Sequence, residues 1–302
     1  MLSTGTAPSL QSSQGLQLAI PMLENRAQRY YRPKLDQLRF VAFSFVFCRH
    51  ILPADTEAYT SLGISHSLAH YILVPLVRAG GHGVDLFFVL SAFLITELLL
   101  RECDTTGTVR VKSFYIRRTL RIWPLYFAFI LLAFPFEFTT SDIPLLYYGM
   151  VAVFIGNWFT VFFGQVESVT GHLWTISVEE QFYLIWPVLL ICTRPRVFLA
   201  SLVGLFIAST FYRSVLIEGD FASAVSVHNN TFTRMDCFAL GGILACCVHW
   251  NLISTNSMVR VTLLAICAFL YLLIGWIYSD VLHASTAWVY LIGSTASVLA
   301  VL

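Results

Sequence analysis

Long apolar runs recur along almost the whole chain and constrain its fold more than any other feature. A helix that crosses the hydrocarbon core of a bilayer needs roughly 20 mainly apolar residues. Runs near that length occupy 36–54, 83–100, 119–136, 143–163, 173–192, 197–217, 235–250, 259–279 and 285–302, with only short segments between them. Of the 302 residues 57% are hydrophobic and 12% charged, against about a quarter charged in a soluble domain. In lipid every backbone polar group must be satisfied internally, which makes spans of this kind helical. The expectation is an all-α, polytopic transmembrane helix bundle of about eight to nine spans, lying in the inner (plasma) membrane as a multi-pass protein among membrane lipids.

The first residues carry no signal peptide, because a basic n-region is missing and the apolar run 16–23 is broken by Gln17 and Pro21. Residues 1–34 read as a polar N-terminal tail with a basic end (Arg26, Arg29, Arg32, Lys34), and 35–302 as one transmembrane domain. Lys and Arg in short loops favour the cytoplasm. The tail and the loop holding Arg101, Arg110, Lys112, Arg117 and Arg118 therefore belong inside, and 55–70, with neither Lys nor Arg, belongs outside. A conflict follows. If 143–163 crosses fully, Arg194 and Arg196 are exported. If it dips in and returns, they stay inside. Pro144, Gly149, Gly156 and Asn157 interrupt that run, and irregular backbone at membrane depth is tolerated where protein buries it. The re-entrant reading is preferred, with both termini cytoplasmic.

A net charge of +1, with no basic tract interleaved with aromatics, sets nucleic acid aside. The seven cysteines form no C-x-x-C pair and read as small buried hydrophobes. The histidines lack metal-ligand spacing, and no G-x-S-x-G element is present.

Function is argued from ionisable residues placed where lipid should exclude them. In "RFVAFSFVFCRH", Arg39 and His50 stand eleven positions apart, about three helical turns and 16 Å along one face. Asp85 follows three glycines in "GGHGVD" and suits a helix start. Arg117, Arg118 and Arg121 share nearby faces of "FYIRRTLRIWP". They form either a topogenic cluster or a phosphate clamp, since guanidinium forks match phosphate oxygens. Glu179 and Glu180 lie about two turns into an apolar helix, pointing about 100° apart, so one of them at most faces a given cavity. Arg234 and Asp236 are placed to pair locally as a structural feature.

Taken together, "LDQLRFVAFSFVFCRH", "GVDLFFVLSAFLIT", "FYIRRTLRIWPLYF", "HLWTISVEEQFYLIWP" and "TRMDCFALGGILA" resemble, in order, the signature blocks of integral-membrane acyltransferase family 3. The resemblance implies an enzyme, an O-acetyltransferase moving an acyl group, usually acetyl from cytosolic acetyl-CoA, to a hydroxyl of a carbohydrate. O-antigen, exopolysaccharide and lipo-oligosaccharide are acceptors of that kind, some of them lipid-linked. It maps the family's Arg-x10-His element onto Arg39 and His50, its Arg-x-x-Arg element onto Arg118 and Arg121, and its glutamate onto Glu179 or Glu180. The chain departs from the family in having Gln37 and Ala92 where glycine is usual, which is expected to add bulk at helix packing points. It also ends within an apolar run, "STASVLAVL", short of the family's usual helix count, and so is expected to be a shortened relative.

Acyl transfer needs a base, an oxyanion donor and a positioned thioester. His50 is the base candidate, since an imidazole titrates near neutral pH. Glu179 or Glu180 is expected to orient it. Arg39, Arg117, Arg118 and Arg121 are expected to hold acyl-CoA, which is a donor substrate rather than a resident cofactor. Ser91 offers an acyl relay but ranks below these. The competing class is a transporter or flippase with a buried Arg/His/Glu path, and a third reading is an inactive scaffold.

Overall fold

The computed structural model describes residues 33–140, 143–219, 222–253, 256–280 and 287–301. Most of the tail, with Arg26, Arg29 and Arg32, lies outside the described residues. The chain divides into two compact units, Met1–Lys34 and Leu35–Leu302, and the helices of the bundle belong to the second.

Every regular element among the described residues is helical. The principal ones are α1 (Pro33–Ile51), α2 (Gly83–Thr106), α3 (Val111–Thr140), α4 (Leu145–Ala152), α5 (Gly156–Phe163), α6 (Trp174–Cys192), α7 (Pro195–Glu218), α8 (Thr231–His249), α9 (Ser257–Asp280) and α10 (Ala287–Val301). Among the described residues six helices are long and apolar enough to cross a membrane. The one containing α2 runs without a break from His66 through a π segment (Ala69–Leu73) and a 3-10 turn (Gly80–His82). Large apolar side chains such as Phe40, Leu120, Leu125, Leu132, Phe211 and Phe269 are exposed around the bundle, as expected of a surface that meets lipid acyl chains. The chain is a multi-pass membrane protein.

Helix directions follow from contacts along their lengths. Helix α2 runs parallel to α6: Phe88 meets Trp174, Ser91 meets Glu179, and Thr96 accepts from the Trp186 indole. Helix α3 runs antiparallel to α6. The Tyr115 hydroxyl donates to the Leu184 carbonyl, the Trp123 indole to Glu180, and the Phe129 ring faces His172. The end of α3 and the start of α6 therefore lie at the same end of the bundle, and the segment between them must leave and return there. Helices α4 and α5 make that return. The rings of Tyr147 and Phe159 are 5.4 Å apart, whereas twelve residues of straight helix would separate them by about 18 Å. Phe154, at φ 59°, turns the corner, and its ring stacks on Tyr126.

This re-entrant hairpin is held by polar groups buried in protein rather than in lipid. Gln181 donates to the Phe154 carbonyl and to Asn157 Oδ1, while Asn157 donates to the Asn229 carbonyl and Thr231. Arg194 and Arg196 consequently sit at the same end as Arg101 and Arg110, which removes the conflict in the charge distribution.

Close backbone approaches fix the central helices. A Cβ on Gly80 would lie 2.5 Å from the Phe45 carbonyl oxygen, and one on Gly241 would lie 2.3 Å from that of Val89 and 2.9 Å from the Ala92 methyl. Ala92 is therefore accommodated because its neighbour across α2 and α8 has no side chain. Gln37 lies on an exposed face of α1. Neither residue adds the bulk at a packing point that was expected. Between α2, α6 and α8 the rings of Phe88, Phe238 and Phe182 stack at 4.8 and 4.2 Å.

Candidate active site

Two consecutive carboxylates of α6 take different surroundings, as the helical offset requires. Glu179 Oε1 accepts from the Ser91 hydroxyl at 2.7 Å. The Tyr183 phenol lies against both, and Arg118 and Arg39 act on the carboxylate electrostatically. Glu180 turns toward α3, where one oxygen accepts from the Trp123 indole at 3.2 Å and the other is buried with no hydrogen-bond partner among the described residues. The three arginines at the start of α3 also diverge. Arg118 turns inward, its guanidinium 5.1 Å above the Tyr183 ring. Arg121 is exposed, and Arg117 is exposed with Glu102 at 4.0 Å.

Glu179 forms part of the wall of a cavity of about 940 Å3. The other walls come from α1, the start of α2, the 165–172 segment and the short helix Ala224–Asn229. Four imidazoles line it: His50, His82, His172 and His228. Helix α1 is continuous from Arg39 to His50, and it runs antiparallel to α6. Arg39 interacts with Glu179, and His50 with His172. The cavity thus has Glu179 toward one end and His50 and His172 toward the other, with Ser91, Arg118 and Arg39 grouped around the Glu179 carboxylate rather than in the wall. His50 is exposed at its end. No hydrogen bond joins His50 to Glu179 or Glu180, so the carboxylate-oriented imidazole expected from the sequence does not form between these residues.

The segment carrying His172 is shaped by Glu137, a buried carboxylate of α3. It accepts from the Tyr148 hydroxyl at 2.6 Å, from the Ser168 hydroxyl at 2.9 Å, and from the Val169 amide. Val169–Leu173 then winds as a 3-10 turn into α6.

Behind the cavity lies a buried charge cluster. Asp85 sits in the first turn of α2, as its helix-start reading anticipated, but it also holds two partners: Arg234 Nη1 at 2.8 Å and His82 Nδ1 at 2.7 Å. Arg234 therefore pairs with Asp85 across α2 and α8, not with Asp236, which pairs instead with Arg213 of α7. The local pair expected from the sequence fails because residues two apart on a helix do not face each other. Tyr290 packs its ring against both guanidiniums, at 5.0 and 5.1 Å.

The same cluster fixes two tautomers. A carboxylate only accepts, so His82 carries a proton on Nδ1. A guanidinium only donates, so His228 Nδ1, which meets Arg234 Nη2, is an acceptor, and the ring's proton sits on Nε2. Burial, and then the Arg234 charge, hold His228 well below the ordinary imidazole range and keep it neutral.

The structure thus groups Arg39 and Arg118 around Glu179, lines one cavity with Glu179 and His50, and leaves Arg39, Arg117, Arg118, Arg121 and Glu180 out of its wall. Sequence reasoning missed Glu137, His82 and His228. The first is a carboxylate in the apolar run "FPFEF", a signal of the kind that identified Glu179. The histidines had no local spacing to mark them.

Comparison with known proteins identifies the family. The profile of acyltransferase family 3, described as an acyltransferase domain, matches residues 32–302. The peptidoglycan O-acetyltransferase OatA of Listeria monocytogenes is 29% identical over 187 residues, covering 56% of this chain and 30% of that protein. A putative O-acetyltransferase of Staphylococcus aureus is 30% identical over 235 residues, covering 71% and 34%, and O-acetyltransferase OatA of Staphylococcus aureus is 29% identical over 233 residues, covering 70% and 37%. The chain therefore spans about a third of the length of these relatives. No solved structure matches. With its profile matched over nearly the whole chain, the chain belongs to integral-membrane acyltransferase family 3.

Proposed function

We propose that this protein is a membrane O-acyltransferase that moves an acyl group, acetyl in the simplest case, from cytosolic acyl-CoA to a hydroxyl of a cell-envelope carbohydrate. The observation that carries the reading is the two-ended cavity. Glu179, with Arg39 and Arg118 grouped around it, faces the cavity from the end that the positive-inside rule assigns to the cytoplasm, and His50 lines it about 16 Å from Arg39 along α1. In this reading the N-terminus is cytoplasmic and the membrane is the plasma membrane. The inward arginines hold the thioester end of the donor, and Arg117 and Arg121, exposed at the same end, meet its phosphates. His50 takes the acceptor proton at the outer end. In the net reaction the acyl carbon exchanges its bond to the CoA sulfur for one to the acceptor oxygen, and CoA leaves toward the arginines. Acceptance of a carbohydrate is supported by the relatives' names and by an outer end walled by polar side chains.

The test has two arms. Acetyl-CoA should raise the thermal midpoint of the purified protein, a free sugar should not, and Arg118→Ala with Arg121→Ala should abolish the shift while the protein still inserts. His50→Ala, in cells lacking the native gene, should lose acetylation of surface glycans by mass analysis. No shift with acetyl-CoA, or full acetylation in His50→Ala, would overturn the proposal.

A further inference from the structure

We infer that Ser91 is a catalytic nucleophile and that transfer proceeds in two steps through an acyl ester on its Oγ. This rests on the acyl-CoA reading above.

The first ground is where the Ser91 hydroxyl points. Serines within helices ordinarily return their proton to a carbonyl three or four residues upstream. Ser44, Ser61, Ser177, Ser294 and Ser297 all do so here. Ser91 instead directs its hydroxyl across to Glu179, 88 positions away in sequence, at 2.7 Å. A hydroxyl whose one proton lies on a buried carboxylate is the pairing of nucleophile and base that covalent catalysis requires.

The second ground is the surroundings of that pair. Arg118 and Arg39 act on Glu179 from the arginine end, and the Tyr183 phenol adjoins both Ser91 and Glu179. These groups bring positive charge and a hydroxyl donor to the surroundings of the pair. The third ground is position. Glu179 is also part of the wall of the cavity that His50 lines, so the carboxylate that holds the Ser91 hydroxyl faces the space open to donor and acceptor.

The steps balance as follows. Ser91 Oγ attacks the thioester carbon, its proton passes to Glu179, the C–S bond breaks, and the CoA thiolate leaves to take a proton from the cytosol. The acceptor hydroxyl then attacks the ester carbon, and its proton leaves through the cavity toward the outer end, where His50 is exposed. The C–Oγ bond breaks, and Glu179 returns its proton to Oγ.

The experiment needs no acceptor. The purified full chain in lipid nanodiscs is mixed with acetyl-CoA radiolabelled in the acetyl group, quenched in acid, and examined by denaturing gel and peptide mass mapping. The expected result is a burst of free CoA stoichiometric with protein, and one acetyl group on the peptide containing Ser91. Ser91→Ala should lose the label while acetyl-CoA still raises its thermal midpoint. Ser91→Cys should carry a label released by neutral hydroxylamine, as a thioester is. Absence of label from a wild-type protein that acetyl-CoA stabilises would overturn the relay and leave the donor reading standing. Label retained in Ser91→Ala would also overturn it. Failure of acetyl-CoA to stabilise the wild type would overturn both.

Discussion

The ion pair between Asp85 and Arg234 joins the two helices that pack most closely, and its removal can be reasoned through in energy. Both side chains are 1% exposed and meet at 2.8 Å. Asp85→Asn keeps the volume and removes the charge. It leaves the Arg234 guanidinium buried without a counter-ion, since Asp236 is taken by Arg213. Uncompensated charges of this kind destabilise by about 3–5 kcal/mol. Arg234→Met strands Asp85 in the same way and belongs in the same range. The double substitution strands no charge. It costs only the hydrogen bonds lost at His82 and His228, about 1–3 kcal/mol, and so is milder than either single change. Equilibrium unfolding in mixed detergent micelles, followed by tryptophan fluorescence, measures all four corners of the cycle. Trp174 is a suitable reporter because Arg234 sits 5.9 Å from its ring. If the double variant loses the sum of the two single losses, the pair is not coupled and the electrostatic account of α2–α8 packing fails.

Three further outcomes follow from the same geometry. Glu137→Gln keeps one acceptor oxygen for the three donors at Tyr148, Ser168 and Val169. It should cost about 1–3 kcal/mol and speed proteolysis within 165–172, and an unchanged cleavage rate would show that the carboxylate does not hold that segment. His228 is held neutral by burial and by Arg234, whereas in the unfolded chain it protonates near its ordinary pKa of about 6.5. The unfolded state therefore binds more protons in acid, and stability is full above that pH and falls below it by up to about 1.4 kcal/mol per pH unit. His228→Gln should flatten the slope between pH 7 and 5, and an unaltered slope would assign it to other groups. In a cysteine-free background, Arg110→Cys and Arg194→Cys should react with an impermeant maleimide from the same face of the membrane. Reaction from opposite faces would mean that 143–163 crosses.

Helix positions were largely legible because lipid leaves the backbone little choice: a long apolar run must be a helix, and only its ends are in doubt. Thus α6 and α7 lie within a few residues of their apolar runs, while α3 begins eight residues before its run, in a basic stretch that hydropathy alone does not score. The hairpin was legible for a different reason, since Gly156 and Asn157 break the run and two exported arginines would violate the charge rule. The unlike surroundings of Glu179 and Glu180 followed from helical geometry, but which one faces the cavity did not. That choice depends on Ser91, 88 positions away. Partner choice was the least legible feature. Arg234 had an acid two residues along, and nothing local reveals that its counter-ion is 149 positions away on α2.

The hairpin bears on chemistry as well as on charge. Helices α1 and α3 run the same way, and because 143–163 returns to the end it left, both run against α6. That direction is what sets Arg39 and Arg118, each near the start of its own helix, beside the same carboxylate of α6. One additional crossing would reverse α6 and carry Glu179 away from the arginines and from Ser91 of α2. With the observed directions Arg39 and His50 stand about 16 Å apart along α1. An acyl group that passes from one end to the other either travels on a donor arm long enough to span the cavity or is set down on the way. Ser91, whose hydroxyl donates to Glu179 of the cavity wall, offers the second route.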